Sequence, residues 1–116
     1  MTTTAKRNAK WWADLPRDRF GDKATLSNQL LQLVLEGKKT ASCSAQVGPI
    51  HLKPGARFVI EDGAGAPRCV IETVSVEPKQ FNEVDADFAK AEGEGDLSLA
   101  YWRRVHEDFF RRTTGF

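Results

Sequence analysis

The sequence predicts an α+β fold in which a small β-barrel is flanked by helices. Its 116 residues are enough for one domain but too few for two independent hydrophobic cores. Patterns typical of helices stand towards both ends of the chain, and patterns typical of strands lie between them. This order favours an α+β barrel over an alternating α/β sheet.

Residues 1–24 are interpreted as an N-terminal arm that packs on a domain formed by residues 25–116. The arm is polar and basic at its start, yet it carries Trp11, Trp12 and Phe20. Large aromatic side chains in a polar segment generally fix that segment to a domain surface. A platform on which nucleic-acid bases stack is the alternative role for these rings.

The first helix is predicted at residues 25–36. An apolar face recurs there at helical spacing, formed by Leu26, Leu30, Leu33 and Val34 and widened by Leu31 and Leu35. Thr25 or Ser27 is expected to cap the start of the helix. Gly37 is expected to end it.

Three strands are predicted between the helices. They cover residues 40–47, which are small and polar, residues 57–61, and residues 68–76, which are rich in valine. A turn at residues 53–55 leads into the second strand, and residues 62–67 form a hairpin connection to the third. Pro78 ends the last strand or marks a sheet edge.

Two further helices complete the predicted fold. The first covers residues 81–90 and is broken by Gly93 and Gly95. The second is capped by Asp96 and runs to about residue 111, with Leu97, Tyr101 and Val105 on one face.

The net charge of +1 does not by itself indicate a nucleic-acid partner. Residues 1–60 carry 10 Lys/Arg against 4 Asp/Glu, a net charge of +6, whereas residues 61–116 carry 7 against 12, a net charge of −5. Such asymmetry could place a basic face that attracts phosphates beside an acidic one. A solvated surface of mixed charge is the alternative.

Composition also bears on the compartment. No segment is apolar enough to cross a bilayer, and residues 1–10 lack the apolar core of a signal peptide. We therefore expect a cytoplasmic protein with no membrane partner. Cys43 and Cys69 do not make a disulfide framework, and we expect reduced thiols packed as small apolar groups.

Several ordered blocks between residues 20 and 110 resemble bacterial ASCH domains. These blocks are Phe20-Gly21-Asp22, Gly37-Lys38-Lys39-Thr40-Ala41, Cys69-Val70-Ile71-Glu72-Thr73, Phe81-Asn82-Glu83-Val84, Ala91-Glu92-Gly93-Glu94-Gly95-Asp96 and Ser98-Leu99-Ala100-Tyr101-Trp102-Arg103. The resemblance implies a PUA-like β-barrel with a cleft for RNA or a modified nucleoside. Relatives include an amidohydrolase that removes the acetyl group of N(4)-acetylcytidine and a ribonuclease that acts on single-stranded RNA.

ASCH domains usually end with a further strand after the last helix. No alternating apolar segment follows that helix here, so we expect the closing C-terminal strand to be absent. A neighbouring strand would then keep an open edge through which two chains could pair as a dimer.

The resemblance to the amidohydrolase implies three catalytic residues. Lys39 matches its proton acceptor, Ser42 replaces its nucleophilic threonine, and Glu94 matches its proton donor. For substrate binding, we predict roles for the flanking and helical residues Lys38, Thr40, Tyr101 and Arg103, of which Arg103 could contact phosphates.

The chemistry of this set is coherent, because a hydroxyl attacks an amide carbonyl only when a base takes its proton. A lysine is such a base in its neutral form, which burial or a nearby cation such as Lys38 favours. On a strand, however, residues three apart face opposite sides, so Lys39 and Ser42 converge only if the strand begins later or bulges. Structural roles are the alternatives: a cation at a helix end for Lys39, a packed residue for Ser42 and a solvated carboxylate for Glu94.

No metal or other cofactor is predicted. His51 and His106 stand apart from the cysteines in the sequence, and we expect His106 to be a half-buried surface residue. The acidic run at residues 92–96 lacks the spacing of a calcium loop.

Three functions therefore stay open. The first is hydrolysis of acetylated cytidine or of RNA, the second is a non-catalytic RNA-binding module, and the third is an interaction domain whose cleft is degenerate. Salt-dependent binding of single-stranded RNA without any product would favour the second function.

Overall fold

The computed structural model describes residues 10–46, 48, 50 and 52–115. Its elements are β1 (Arg17–Asp18), α1 (Ala24–Leu35), β2 (Arg57–Glu61), β3 (Pro67–Glu72), a 3-10 turn (Phe81–Glu83), α2 (Ala86–Glu92) and α3 (Leu99–Thr114). The predicted small α+β fold is therefore confirmed. No helix among the described residues combines the length and the apolar character that spanning a membrane requires.

The three strands form one sheet in the order β1-β2-β3. Strand β2 is central, parallel to β1 and antiparallel to β3, with an irregular register between Ile60 and Glu61. Within the described ranges the sheet is open and no strand follows α3, so a closed barrel stays a prediction. Strand β3 lies at one edge, and its pairing with a second chain is also untested.

The predicted arm, residues 1–24, contributes a strand to the sheet that the predicted domain forms. Strand β1 falls inside the predicted arm, and the neighbouring Pro16 carbonyl accepts a hydrogen bond from Val59 N–H. Residues 1–9 of that arm lie outside the described residues. The most buried apolar side chains come from α1, β2, α2 and α3: Leu31, Val59, Ile60, Ala89 and Trp102.

The predicted strand at residues 40–47 is wrong for the part that the structure describes, residues 40–46. The N–H groups of Thr40 and Ala41 donate to one carbonyl, that of Ala91 at the end of α2, over 2.7 and 3.1 Å. Because a helix end takes these donors, they are not available to a neighbouring strand. Residue 47 lies outside the described residues.

The strand at residues 57–61 and the hairpin that follows it are confirmed. Strand β3 is shorter than predicted, because its pairing with β2 ends at the turn that precedes β2. Thr73 N–H donates to the Ala56 carbonyl, and the Thr73 carbonyl accepts from Gly55 N–H in the predicted turn. Beyond this point the Val74 side chain is 84% exposed.

The predicted helix boundaries need three corrections. Residues 81–90 form two elements, because Asp85 adopts an extended backbone and its carboxylate caps α2 by accepting from Phe88 N–H. Helix α1 begins after Lys23 without a side-chain cap; Ser27 is buried, and its hydroxyl donates to the Phe20 carbonyl. Gly37, with a φ of 75°, follows the end of α1 as predicted.

The third correction concerns the start of α3. Ser98 caps this helix by accepting from Tyr101 N–H over 3.1 Å, whereas Asp96 accepts from Ser98 N–H outside the helix. We expect Ser98→Ala to lower the free energy of unfolding by about 1 kcal/mol, because the first turn loses a hydrogen-bond acceptor. Urea denaturation measures this loss. Ser98→Asp, which keeps a capping oxygen, is the control, and an equal loss in both variants would contradict the assignment.

Candidate functional site

A cavity of about 440 Å³ opens between α1, the segment that follows it and one face of α3. Its apolar wall includes Phe20, Leu26, Leu30, Val105 and Phe109. Its polar wall consists of Lys39, Ser42, Cys43, Glu92, Glu94, Arg104, His106, Asp108 and Arg112. An apolar pocket with a few convergent polar groups is the usual form of a small-molecule site.

Lys39 is the central cation of the polar wall, and only 5% of the residue is exposed. Its Nζ lies 2.7 Å from Glu92 Oε2 and 2.9 Å from Glu94 Oε2. One ammonium group is thus held between two carboxylates with almost no solvent around it. Because buried charges are retained only when they are paired, these contacts fix the position of the amine.

The backbone explains how Lys39 reaches this position. Its N–H donates to the Leu33 carbonyl at the end of α1, over 3.1 Å. The next two residues are tied to the Ala91 carbonyl, beside the two carboxylates. The lysine therefore lies where the chain leaves one helix and meets the end of another.

The two carboxyl groups differ in their affinity for a proton. Burial alone would raise the pKa of Glu92, but the charge of Lys39 and hydrogen bonds with Glu94 and Lys39 hold it below its usual value. Burial raises the pKa of Glu94, and its hydrogen bond with Glu92 adds to that rise. Of the pair, Glu94 is the carboxyl group that holds a proton more readily.

Glu92 has a second set of neighbours at its other oxygen. Its Oε1 accepts a long hydrogen bond of 3.4 Å from Trp102 Nε1 and lies 3.9 Å from His106 Nε2. The rings of Trp102 and His106 stack with centroids 4.4 Å apart. His106 is only 8% exposed, so the expectation of a half-buried surface residue is wrong.

Cys43 lies against the same carboxylate. Burial and the adjacent charge of Glu92 raise the pKa of its thiol, which is therefore protonated at neutral pH. Cys43 and Cys69 are both free and half-buried, as expected. Cys43, however, lies among polar groups as well as apolar ones.

The structure brings the three predicted catalytic residues to one cavity. Lys39 and Glu94 are in contact, and Ser42 lines the same space. The problem of opposite strand faces does not arise, because residues 39–46 are not in a strand.

The four predicted substrate-binding residues do not line this cavity. Lys38 is exposed near Glu36, and Thr40 donates from its hydroxyl to the Ala91 carbonyl. Tyr101 packs against Gly95, and Arg103 is exposed on α3. Their binding roles stay predictions.

Several polar residues of α3 line the cavity but were not among the predicted site residues. Arg104 and Asp108 lie one turn apart and both line the cavity. Arg112 does so too, and it is paired with Asp22 over 3.0 Å. Their spacing of four residues on α3 is the signal that could have indicated one common face.

Comparisons with known proteins agree with the fold. The ASCH domain family model matches residues 17–115. The structure is similar to an ASCH domain from Lactobacillus crispatus JV V101, with a TM-score of 0.80 and 34% identity over 96% of this chain and 76% of that one. It is also similar to protein EF3133 from Enterococcus faecalis V583, with a TM-score of 0.75 and 31% identity over 98% of this chain and 71% of that one. No curated protein matches the sequence.

Proposed function

This chain belongs to the ASCH domain family, and we propose that its cavity hydrolyses the amide of an acylated nucleoside of the N(4)-acetylcytidine type. One observation supports this proposal most strongly. Lys39 and Ser42 lie more than fifty residues before Glu94 in the sequence, yet all three line one cavity. These are the positions that match the catalytic residues of the amidohydrolase relative.

The lysine and the glutamate can exchange a proton directly. Their hydrogen bond is 2.9 Å long, so the ammonium proton of Lys39 can pass to the Glu94 carboxylate. This transfer creates a neutral amine and a protonated carboxyl, which are the forms that a base and an acid must have at the start of the reaction.

The first half of the proposed reaction forms an acyl-enzyme. Ser42 Oγ attacks the acetyl carbonyl carbon while its proton moves to Lys39 Nζ. The bond between that carbon and the exocyclic nitrogen of cytosine then breaks, and Glu94 gives its proton to the departing amine. Cytidine leaves, and the acetyl group stays on Ser42 as an ester.

Water completes the cycle. A water molecule attacks the ester carbonyl and gives one proton to the Glu94 carboxylate, and the serine oxygen recovers a proton from the Lys39 ammonium as acetic acid leaves. Acetic acid then releases its remaining proton to solvent and becomes acetate. The proton on Glu94 returns to Lys39, so every group regains its starting form. The cavity volume of about 440 Å³ is within the range of small-molecule sites, and Phe20 and Phe109 offer apolar walls for a base.

Incubation with N(4)-acetylcytidine, followed by chromatography for cytidine and acetate, tests the proposal. We expect Ser42→Ala to lower kcat/KM by about 10²–10⁴-fold, because the nucleophile is lost. Ser42→Thr should keep most of the activity because a hydroxyl remains. The matched control is Ser44→Ala, a nearby exposed serine outside the cavity wall. Product formation that Ser42→Ala leaves unchanged would exclude the assigned nucleophile.

Arg104 favours the RNA-binding module as the second candidate function. Arg104 lines the cavity, its guanidinium lies 5.4 Å from the centre of the Tyr101 ring, and no described carboxylate forms an ion pair with it. A cation in that position could bind a phosphate of single-stranded RNA. Binding of such RNA that weakens steeply with salt, without cytidine or RNA fragments as products, would favour this function over hydrolysis.

A further inference from the structure

We propose that Cys43, Glu92 and His106 bind a zinc ion on the wall of the cavity. The thiol sulfur, a carboxylate oxygen and a ring nitrogen of these residues all lie within 4.8 Å of one another. Zinc bonds to sulfur, nitrogen and oxygen are about 2.0–2.3 Å long, so the side chains need to close by about 1 Å around the ion. The sequence analysis predicted no metal and did not consider this group, because its members are brought together only by the fold.

His106 already has the orientation of a metal ligand. Its Nδ1 donates a hydrogen bond of 2.9 Å to the Trp102 carbonyl, so Nδ1 carries a proton. With the proton of a neutral imidazole on Nδ1, Nε2 has the lone pair that a metal ion needs, and it lies 3.9 Å from Glu92 Oε1. Histidine ligands in metal sites commonly donate from their other nitrogen to a backbone carbonyl, which fixes the ring as it is fixed here.

Glu92 has one oxygen available for the ion. Its Oε2 is engaged by Lys39 at 2.7 Å, whereas the contacts of Oε1 are long, at 3.4 Å to Trp102 Nε1 and 3.9 Å to His106 Nε2. Zinc on Oε1 would replace these long contacts and leave the ion pair with Lys39 in place. The buried carboxylate can therefore serve both cations, one at each oxygen.

The ligand set indicates zinc and a site with one open position. Thiolate and imidazole are ligands that zinc prefers over magnesium or calcium, and a thiolate with a carboxylate balances its two positive charges. Binding breaks the S–H bond of Cys43, forms a bond between sulfur and zinc, and releases one proton to solvent. Since all three residues line the cavity, the fourth position faces it and can hold water or an atom of a substrate.

Zinc content after incubation and desalting, measured by mass spectrometry, tests this site. We expect about one zinc per wild-type chain and almost none in Cys43→Ser or His106→Gln. Cys69→Ser changes the other cysteine, which is outside the cavity wall, and should keep the metal. Ser42→Ala should also keep it, so loss of hydrolysis and loss of zinc are distinguishable. Absence of zinc from the wild-type protein, or equal zinc in all variants, would overturn the proposal.

A second measurement uses the wild-type chain and does not depend on whether a variant folds. Zinc should slow the alkylation of Cys43 by iodoacetamide and leave the rate at Cys69 unchanged, as measured by peptide mass spectrometry. Cobalt in place of zinc should give a near-ultraviolet absorption band from sulfur to metal. Equal alkylation of Cys43 with and without zinc would contradict the site.

Discussion

Lys39→Met is expected to lower the free energy of unfolding by about 3–5 kcal/mol, because it leaves buried carboxylates without their cation. Glu92 is 1% exposed and loses its contact of 2.7 Å with the amine, and Glu94 loses a contact of 2.9 Å. Methionine fills much of the volume of lysine, so lost packing contributes little. The main expected cost is that of a buried charge without a partner.

Urea denaturation, followed by tryptophan fluorescence, measures this loss. Lys38→Met is the matched control, because the Lys38 side chain is largely exposed and lies 3.8 Å from Glu36, so the expected change is within about 0.5 kcal/mol. The double variant Lys39→Met with Glu92→Gln should recover part of the loss, since the unpaired charge is then removed. Equal stability of the two single lysine variants would contradict the buried ion pair.

This result also decides how the proposed catalysis can be tested. A Lys39 variant loses the predicted base and part of the stability together, so lower activity in that variant has two possible causes. Ser42 is exposed, and its loss removes a hydroxyl without leaving a buried charge. The serine variants therefore separate chemistry from stability more cleanly than the lysine variants.

Local patterns in the sequence predicted much of the fold. The apolar spacing of α1, the glycines that follow α1 and α2, and the hairpin between β2 and β3 all depend on neighbours close in the chain. The segment at residues 40–46 could not be predicted in this way. Its N–H groups are taken by the Ala91 carbonyl, 51 residues from Thr40, and no local pattern reports such a contact.

The residues of the site also fall into those that the sequence predicted and those that only the fold brings together. The family resemblance predicted Lys39, Ser42 and Glu94, whose convergence on one cavity depends on the contact between the segment after α1 and the end of α2. Glu92 was part of an acidic run in the sequence, and nothing in that run distinguishes it from its neighbours. Its special position follows from burial against α3, where Trp102 and His106 face its second oxygen.

Gly93→Ala is the second substitution with a large expected effect. Gly93 lies between Glu92 and Glu94 in the sequence, and it packs against the backbone of Lys38 and Lys39. Its φ is 73°, and a Cβ there would lie 2.4 Å from the Lys38 carbonyl oxygen and 2.9 Å from Lys39 N. Both are backbone atoms and cannot rotate away. The left-handed conformation costs about 1–2 kcal/mol for alanine, and the overlap adds about 1–3 kcal/mol or more.

Gly37→Ala provides the control for backbone conformation. Gly37 has nearly the same φ, 75°, and also follows the end of a helix, but a Cβ there meets nothing within 4 Å. We expect about 1–2 kcal/mol of destabilisation for Gly37→Ala and about 2–5 kcal/mol for Gly93→Ala. The difference in unfolding free energy between the two variants measures the cost of the overlap between the added Cβ and the Lys38–Lys39 backbone. Equal losses in the two variants would contradict that overlap.

The close approach at Gly93 also bears on function. Lys38 N–H and Lys39 N–H both donate to the Leu33 carbonyl, so the backbone opposite Gly93 is held by α1 and yields only if the end of α2 moves. Such a movement would carry Glu92 and Glu94 away from the Lys39 amine. If the hydrogen bond of 2.9 Å between Lys39 and Glu94 is the path of the catalytic proton, folded Gly93→Ala should hydrolyse N(4)-acetylcytidine more slowly than folded Gly37→Ala. Equal kcat values in the two variants, measured below their unfolding temperatures, would show that the backbone contact at Gly93 does not affect catalysis.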